Sequence, residues 1–381
     1  MNIILVGLTK LWICITIEMA IYSGRCLLVY KAERNEFSRM KKKKIVISIL
    51  FSIYAVLGCS YIYFSDGKLN KILSTKFGFA QLYSFSTLIG FIVIVFSILM
   101  ILISIFRNSF KLKIDVANLI LMFTVVLSLS FVLFGMDNKK IEEKHIDKRT
   151  IKLVEWNVAD NINEKNIQDI FGKFDADIAV FPELEGYEKG DKSNRRLVDL
   201  FEKANVDFKK YGAYISEPTE GSIAPVTVVI KKTFGNYNIY KETPMTRFGT
   251  VHLSSTSKNN PPIIGLHTAP PLPGLMSMWK RDLDLIADIF KNNPDSIIIG
   301  DFNATMKHGS LNEIKRHIDA LEYAPKFNSG TWNINIPSIF RTRIDHILIP
   351  TNKYKVKRLE IKNYPNSDHL CVFIEIQEQG N

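Results

Sequence analysis

The most specific single motif of this chain is Ser296-Ile297-Ile298-Ile299-Gly300-Asp301-Phe302-Asn303-Ala304. Three consecutive isoleucines are typical of a strand buried on both faces, and Gly300 follows them directly. Because side chains two positions apart in an extended chain face the same way, we expect Asp301 and Asn303 to point together, with Phe302 in the core. An ordinary Asx turn is the alternative. The stretch predicts a buried strand that displays a carboxylate and an amide at its carboxyl end.

Further polar clusters lie at or just after aliphatic runs from residue 155 onward. They are Glu155-Trp156-Asn157, Phe181-Pro182-Glu183, Leu266-His267-Thr268, Ile344-Asp345-His346 and Ser367-Asp368-His369. Strand ends are where an α/β sheet displays functional groups, because the strand positions them and the loop exposes them. Carboxylates, amides and histidines gathered in this way suit a hard divalent cation and a phosphate ester.

Short apolar runs alternate with amphipathic stretches through the rest of this region. The pattern predicts helices near 163–173, 192–204, 277–291 and 310–318, and strands over 151–156, 177–182, 211–216, 225–231, 248–254, 262–267, 296–300, 343–349, 355–361 and 370–376. Mixed strands and helices with hairpin-like stretches between them indicate two packed sheets flanked by helices.

In this order, the six clusters resemble the endonuclease/exonuclease/phosphatase superfamily, which includes DNase I-like nucleases, sphingomyelinases and inositol-phosphate phosphatases. The resemblance runs from about residue 150 to residue 377, and Pro182 departs from it where relatives often have Gln. It implies an α/β fold, the four-layer α/β sandwich of the DNase I-like proteins. It also implies a metal-dependent phosphoric ester hydrolase that uses Mg²⁺, with Mn²⁺ as the alternative.

The resemblance places three residues at the metal. Glu183 matches the principal metal-binding acid, with nearby Glu185 as its competitor, and Asn157 matches an amide that assists the metal site. Asp368 matches an acid that either binds the metal or organises the backbone. Taken singly, Glu183 reads as a solvated loop acid and Asn157 as a turn former, so only the ordered set favours the metal roles.

The resemblance also assigns the chemical step. His369 is the general base that activates water, and Asp345 is the carboxylate that orients it. Asp301 contacts the nucleophile or the metal, Asn303 holds a phosphoryl oxygen, and His267 contacts the phosphate or the leaving group.

Two other charged residues lie beside these clusters. Arg281, on the predicted helix 277–291, is a candidate phosphate contact, although an exposed helix charge is at least as good an interpretation. His346 follows Asp345 directly, so on a strand its side chain faces the other way. We therefore interpret His346 as structural.

Residues 1–135 have a different composition. Four apolar runs, about 3–24, 45–64, 83–106 and 116–134, predict an all-α transmembrane region of three to four helices. The last three runs reach the roughly 20 residues that a hydrocarbon core of about 30 Å requires. The first contains Lys10 and Glu18 and is weaker, and it lacks the basic front end of a cleaved signal peptide.

The basic residues between these runs predict the orientation. The loop 31–44 is rich in Lys and Arg, which places it in the cytoplasm, and the basic residues 107–113 return to that side. Residues 136–381 then lie outside the cytoplasm. Residues 136–149 are charged and predict a juxtamembrane linker, with an amphipathic surface helix as the alternative, and 150–381 are the catalytic domain of a multi-pass cell-membrane protein.

The charge balance bears on the substrate. The net charge of +11 falls on residues 1–149, with 20 Lys and Arg against nine Asp and Glu, whereas residues 150–381 carry 29 of each. A domain that grips nucleic acid usually has a basic surface, so the neutral balance disfavours this partner. A local basic patch remains an alternative, formed by Lys353, Lys355, Lys357 and Arg358. The four cysteines show no spacing typical of a metal site or a disulfide.

Three functions remain open from the sequence. The first is a membrane-anchored phosphoesterase that acts on a lipid-linked phosphate, pyrophosphate or phosphodiester, with the bilayer and a membrane-associated phosphate ester as its partners. The second is an extracellular nuclease tethered to the membrane. The third is a non-catalytic membrane protein with a degenerate hydrolase domain, which the intact set of Glu183, Asp301 and His369 disfavours.

Overall fold

The computed structural model describes residues 42–53, 67–107, 116–134, 139–141, 148–185, 195–217, 223–325 and 327–379. The chain divides into two compact units. The first comprises Met1–Asn70 and Ser86–Met136, and the second comprises Lys71–Phe85 and Asp137–Asn381. The fifteen residues of Lys71–Phe85 therefore belong with the carboxyl-terminal domain, although the sequence places them between two apolar runs.

Helices account for most of the described chain before residue 135. Residues 42–53 are helical, and they are followed by α1 (Lys68–Leu73), α2 (Phe79–Ser84), α3 (Ser86–Arg107) and α4 (Val116–Phe134). Of the described helices, α3 contains the one stretch, Ser86–Phe106, that is long and apolar enough to cross a bilayer, and the apolar part of α4, Ala117–Leu129, is shorter. Asn118 of α4 donates a hydrogen bond to Ser104 of α3, 3.2 Å away.

The four predicted apolar helices fare differently. The prediction over 116–134 is confirmed as a helix by α4. The prediction over 83–106 begins too early, because Phe85 interrupts the helical conformation between α2 and α3. The run 45–64 is helical up to residue 53, and its remainder lies outside the described residues, as does the whole run 3–24.

The described part of the second unit contains twelve strands in two six-stranded sheets. They are β1 (Thr150–Glu155), β2 (Ile178–Phe181), β3 (Tyr211–Ile215), β4 (Thr227–Lys231), β5 (Tyr237–Ile239), β6 (Thr250–Ser255), β7 (Ile263–His267), β8 (Ile297–Asp301), β9 (His317–Asp319), β10 (Asp345–Pro350), β11 (Tyr354–Lys362) and β12 (Cys371–Glu378). The first sheet has the order β11-β12-β1-β2-β4-β3, and the second has the order β5-β6-β7-β8-β10-β9.

The two sheets pack face to face, with helices on their outer faces. Inward side chains from both sheets, such as Leu153 of β1 and Ile299 of β8, form the central core. The first sheet is covered by α5 (Glu164–Ile167), which continues as a π-helical turn over Gln168–Lys173, and by α6 (Arg195–Lys203). The helix α7 (Met276–Asn292) covers the second. The resulting helix–sheet–sheet–helix arrangement agrees with the predicted α/β sandwich.

Strand direction brings the polar clusters to one end of the sandwich. β1 runs parallel to β2, and β7 runs parallel to β8, so the carboxyl ends of each pair lie side by side. β12 is antiparallel to β1 and β10 is antiparallel to β8, so the beginnings of these strands lie at that same end. Asp345, the first residue of β10, is paired in register with Asp301, the last residue of β8.

Two short strands and one helix differ from the sequence prediction. The helix expected near 310–318 is a 3₁₀ turn over Gly309–Glu313 followed by β9, which pairs with β10. β5 was not predicted. Both strands have three residues, too few for the two-residue alternation that identifies a half-buried strand.

Part of the predicted juxtamembrane linker is bound to the second unit. The backbone N–H of Lys139 donates to the carbonyl of Glu322 at 2.7 Å, and the ammonium of Lys139 lies 2.9 Å from the Glu322 carboxylate. Ile141 packs against the central core. Residues 135–138 and 142–147 of this stretch lie outside the described residues.

Candidate active site

The turn after β8 has a backbone that only particular residues adopt. Gly300 has φ of 150°, and a Cβ there would lie 1.9 Å from the carbonyl oxygen of Leu266, so a side chain is excluded. Asn303 has φ of 46°, in the left-handed region that Asn tolerates. The sequence prediction that Asp301 and Asn303 enter one site agrees with the structure, but its reason was wrong: the strand ends at Asp301, and a turn brings Asn303 back. Phe302 is fully buried, as predicted.

Asn157 links the ends of the two sheets. Its side-chain amide donates to the carboxylate of Glu183 at 3.0 Å and to that of Asp301 at 3.1 Å. The other oxygen of Asp301 accepts from the backbone N–H of Asn303 at 2.7 Å. Glu183, which has φ of 57°, keeps 27% of its side chain exposed, while Asp301 is buried. Two carboxylates are thereby held close together, and one of them reaches solvent.

The second contact across the sandwich joins His369 to Asp345. The Nδ1 atom of His369 lies 2.9 and 3.0 Å from the two oxygens of the Asp345 carboxylate. An Nδ1–H that donates to Asp345 leaves Nε2 to exchange a proton with substrate or water. The backbone N–H of His369 donates to the hydroxyl of Ser367, which in turn donates to the carbonyl of Asn157. His369 is therefore held at two points, through Nδ1 of its ring and through its backbone N–H.

The pKa values of the two histidines of the site are shifted in opposite directions. The Asp345 carboxylate raises the pKa of His369 to about 9, against the opposing effect of burial. Burial, followed by the charge of His369, lowers the pKa of His267 to about 3. His267 is thus neutral at pH 7, and its Nε2 atom lies 3.3 Å from the amide of Asn303 and 3.5 Å from Asp301.

The carboxylates of this site suit a divalent cation. Burial and then the charge of Asp345 raise the pKa of Asp301 to about 7, so its ionised form is poorly compensated by the protein. His369 pairs with Asp345 and lies 3.9 Å from Asp301. The neutral His267, 3.5 Å from Asp301, adds no compensating charge. Ligand atoms of Asp301, Asp345 and His369 all lie within 4.8 Å of one another. Hard cations prefer such carboxylate oxygens, and Glu183 and Asn157 adjoin the cluster.

The remaining residues proposed from the sequence lie further out. The carboxylate of Asp368 accepts from the indole N–H of Trp332 at 2.7 Å, and its other oxygen lies 3.9 Å from Nε2 of His369. Arg281 has 63% of its side chain exposed and pairs with its neighbour Asp282 at 3.2 Å. His346 is buried between Asp319 and the carbonyl of Ala304, each 2.8 Å away, in agreement with the structural interpretation.

Two residues near the site were not given a role by the sequence. Trp332 packs against His369 with ring centroids 6.4 Å apart, and its loop offered no strand or helix pattern to place it. Glu155 is fully buried, and within the described chain neither of its carboxylate oxygens has a hydrogen-bond partner. Burial, followed by Asp345 and Asp301, raises its pKa well above the usual range, which favours the protonated carboxyl. An acid that directly follows the apolar pair Leu153-Val154 is the sequence signal for it.

The pKa values predict a pH-dependent stability in chelator. The raised pKa of His369 stabilises the folded state fully below its unfolded value of 6.5, and this stability is lost as pH rises through about 9. The raised pKa of Asp301 also stabilises the folded state at low pH, and this contribution is lost as pH rises through about 7. The free energy of unfolding should therefore fall between pH 6.5 and 9, with a contribution from His369 of the order of 3 kcal/mol.

Chemical denaturation at a series of pH values, with EDTA present, measures this dependence. Asp345→Asn is the matched variant, because it removes the charge that raises the pKa of His369 while keeping the shape of the side chain. Its stability should fall less steeply than that of wild type over the same window, because only the effect of burial on the pKa values of Asp301 and Glu155 is common to both proteins. A wild-type profile that is flat, or that rises with pH, contradicts the assignment of an imidazolium paired with Asp345.

Comparisons with known proteins found similar chains among solved structures. Solved structures with detectable similarity include an endonuclease/exonuclease/phosphatase from Beutenbergia cavernae, at 15% identity over 61% of this chain and 72% of that one, with a TM-score of 0.47. The AP endonuclease LMAP of Leishmania major has 12% identity, 66% and 95% coverage and a TM-score of 0.49. The APE2 catalytic domain of Xenopus laevis has 17% identity, 61% and 94% coverage and a TM-score of 0.42. No curated protein matches the sequence.

A family-level comparison is more extensive. The sequence profile of the Endonuclease/Exonuclease/phosphatase family matches residues 154–369, which is more than half of the chain. The matched span contains the carboxylate, amide and histidine groups that meet at the end of the sandwich. Enzymes of this family are metal-dependent hydrolases of phosphoester bonds. The chain belongs to the endonuclease/exonuclease/phosphatase family.

Proposed function

We propose that this protein is a membrane-anchored, Mg²⁺-dependent phosphoesterase whose catalytic domain lies outside the cytoplasm and hydrolyses a lipid-linked phosphate, pyrophosphate or phosphodiester. The observation that carries the chemical part is the Asp345–His369 contact of 2.9 Å beside the hydrogen-bonded group of Asn157, Glu183 and Asp301. A base, its orienting acid and a cluster of carboxylates are what metal-assisted hydrolysis of a phosphate ester needs.

In the proposed mechanism each residue has one task. His369, held by Asp345, accepts through Nε2 the proton of the water that attacks phosphorus in line with the leaving group. Asn303 donates its amide to a phosphoryl oxygen as charge develops there. His267, neutral at pH 7, contributes hydrogen bonding at the phosphate without adding charge. Asn157 keeps Glu183 and Asp301 in place.

The proposed metal ligands are Glu183, Asn157 and Asp301, with Asp368 nearby. When bound, a divalent cation supplies positive charge beside the phosphoryl oxygens and lowers the pKa of the neighbouring imidazolium toward the neutral form that a base requires. Mg²⁺ suits carboxylate and amide oxygens, and Mn²⁺ is the alternative. Asp368 accepts from Trp332, so we assign it first to orienting the loop and second to the metal.

Hydrolysis of a generic aryl phosphomonoester or phosphodiester should depend on these groups. Chelator should abolish turnover, and Mg²⁺ or Mn²⁺ should restore it. Glu183→Ala and His369→Ala should each abolish turnover, while Asn303→Ala should lose roughly 10²–10³ in kcat. His252→Ala, at a buried histidine that contacts Thr243, is the control and should retain activity. Turnover without metal, or full activity in His369→Ala, would remove this mechanism.

Membrane anchoring in three to four helices is supported by the apolar stretch Ser86–Phe106 and by the apolar helix α4. The orientation is supported by the basic loop 31–44. That topology puts residues 65–85 and 136–381 on the same side of the membrane. The grouping of Lys71–Phe85 with Asp137–Asn381 in one compact unit agrees with it.

Thiol labelling on intact cells tests the orientation. In a background with Cys14, Cys26 and Cys59 replaced by serine, Lys258→Cys should react with a membrane-impermeant maleimide, because Lys258 is exposed on the catalytic domain. Lys42→Cys, in the basic loop, should react only after the cells are permeabilised. The reverse pattern would mean a cytoplasmic catalytic domain and would bring soluble phosphate esters back as substrates.

The preference for a lipid-linked substrate follows from charge and tethering. The neutral balance of residues 150–381 offers little non-specific affinity for DNA. A domain tethered to a bilayer meets a membrane substrate at high effective concentration, whereas a soluble substrate gains little. An extracellular nuclease is the second candidate, since nucleases belong to this family.

Purified full-length protein should release phosphate or headgroup from a polyprenyl pyrophosphate or a phospholipid in vesicles faster than it nicks plasmid DNA at physiological salt. Residual DNA cleavage should be weak and should fall steeply as salt rises, because only phosphate contacts would hold the duplex. Asp301→Asn serves as the inactive control for both substrates. Efficient nicking at physiological salt, with no product from any lipid, would favour the nuclease.

A further inference from the structure

Residues 71–85 lie far in sequence from the catalytic groups, yet they pack against the domain that carries those groups. The hydroxyl of Ser74 accepts from the backbone N–H of Gly309 at 2.9 Å, and the ammonium of Lys71 lies 2.7 Å from the Glu313 carboxylate. Ala80 is fully buried in the core beneath α7. The segment is therefore fixed to the catalytic domain by hydrogen bonds, an ion pair and apolar packing.

One end of this segment reaches the base of the site through aromatic contacts. The ring of Phe85 lies 6.0 Å from the ring of Trp332, centroid to centroid. Trp332 lies 6.4 Å from the ring of His369, and its indole N–H donates to Asp368. Phe85 is thus two ring contacts away from the general base and one away from the residue that orients Asp368.

The middle of the segment reaches the other side of the site. The carbonyl of Ala80 accepts from Nε2 of His308 at 3.2 Å, and the His308 ring packs edge-on against Trp279 at 5.4 Å. The indole N–H of Trp279 donates to the carbonyl of Asn303 at 3.1 Å. Each route from this segment to the site therefore passes through a tryptophan. Trp332 leads to His369, and Trp279, reached through His308, leads to Asn303.

We propose that residues 71–85 are part of the support of the active site, and that Phe85 is a positioning residue acting through Trp332. The backbone of Trp332 pairs with Thr342 and His369 through isolated β-bridges, and its indole N–H donates to Asp368, but its side chain is only partly buried. Phe85 adds an aromatic contact that limits how the indole ring can shift against His369. The proposal uses the phosphoesterase activity proposed above as one readout, and a second readout does not depend on that activity.

Phe85→Ala should lower kcat on a soluble aryl phosphate about ten- to a hundredfold and leave KM within about twofold, because the base is misplaced while substrate contacts remain. Phe85→Tyr keeps the ring and should restore at least half of kcat. Phe77→Ala is the matched control: it removes the same side chain from the same segment at a position that is 60% exposed, and it should match wild type. If Phe85→Ala does not fold, Phe85→Leu replaces it.

The second readout is the ¹⁹F resonance of 5-fluorotryptophan at Trp332 in the full-length protein, assigned with Trp332→Phe. It should shift or broaden in Phe85→Ala and stay unchanged in Phe77→Ala. Docking itself is tested by Lys71→Cys with Glu313→Cys, which a short bismaleimide should join in membranes, since the wild-type side chains meet at 2.7 Å. If wild type turns over no phosphate ester, the proposed function fails. The Trp332 resonance then still tests whether Phe85 positions Trp332, and the cross-link still tests whether the segment is docked.

Three results would overturn the proposal. One is a Phe85→Ala variant that matches Phe77→Ala in both kcat and the Trp332 resonance. Another is a loss of kcat in Phe85→Ala that leaves this resonance unchanged or that Phe85→Tyr does not rescue. The third is a cysteine pair that is not joined although each cysteine reacts singly.

Discussion

The active site depends on hydrogen bonds that cross from one sheet of the sandwich to the other. His369 precedes β12 of the first sheet and binds Asp345 of β10 in the second, while Asn157 follows β1 and binds Asp301 of β8. Neither sheet alone carries both partners of either contact. The packing of the central core therefore sets the distance between base and carboxylate, and a change in how the sheets pack would alter the chemistry before it unfolded the domain.

The central strands and the residues at their ends could be predicted from the sequence because both signals are local. An apolar run such as Ile297–Ile299 identifies a buried strand, and the polar group that follows it must lie at the strand's end. The turn at Asn303 could not be predicted by the same rule, since alternation describes extended chain and Asn303 has φ of 46°. Alternation therefore identifies the correct residues at this turn, although the backbone there is not extended.

What the sequence could not predict are contacts between distant parts of the chain. Trp332, Glu155 and the segment Lys71–Phe85 reach the site by packing, and packing partners leave no periodic trace in a single sequence. The break at Phe85 shows the same limit. A hydropathy window detects one continuous apolar run from residue 83, whereas α2 ends at Ser84 with Ala80 packed in the core of the second unit, and α3 begins at Ser86.

The position of Phe85 gives the break a consequence for function. Phe85 is followed directly by Ser86, the first residue of the apolar stretch long enough to cross a bilayer. The ring of Phe85 packs on Trp332, and Trp332 packs on His369. The residue that directly precedes the apolar stretch in the sequence therefore belongs to the unit that carries the active site, and one indole separates its ring from the imidazole of His369.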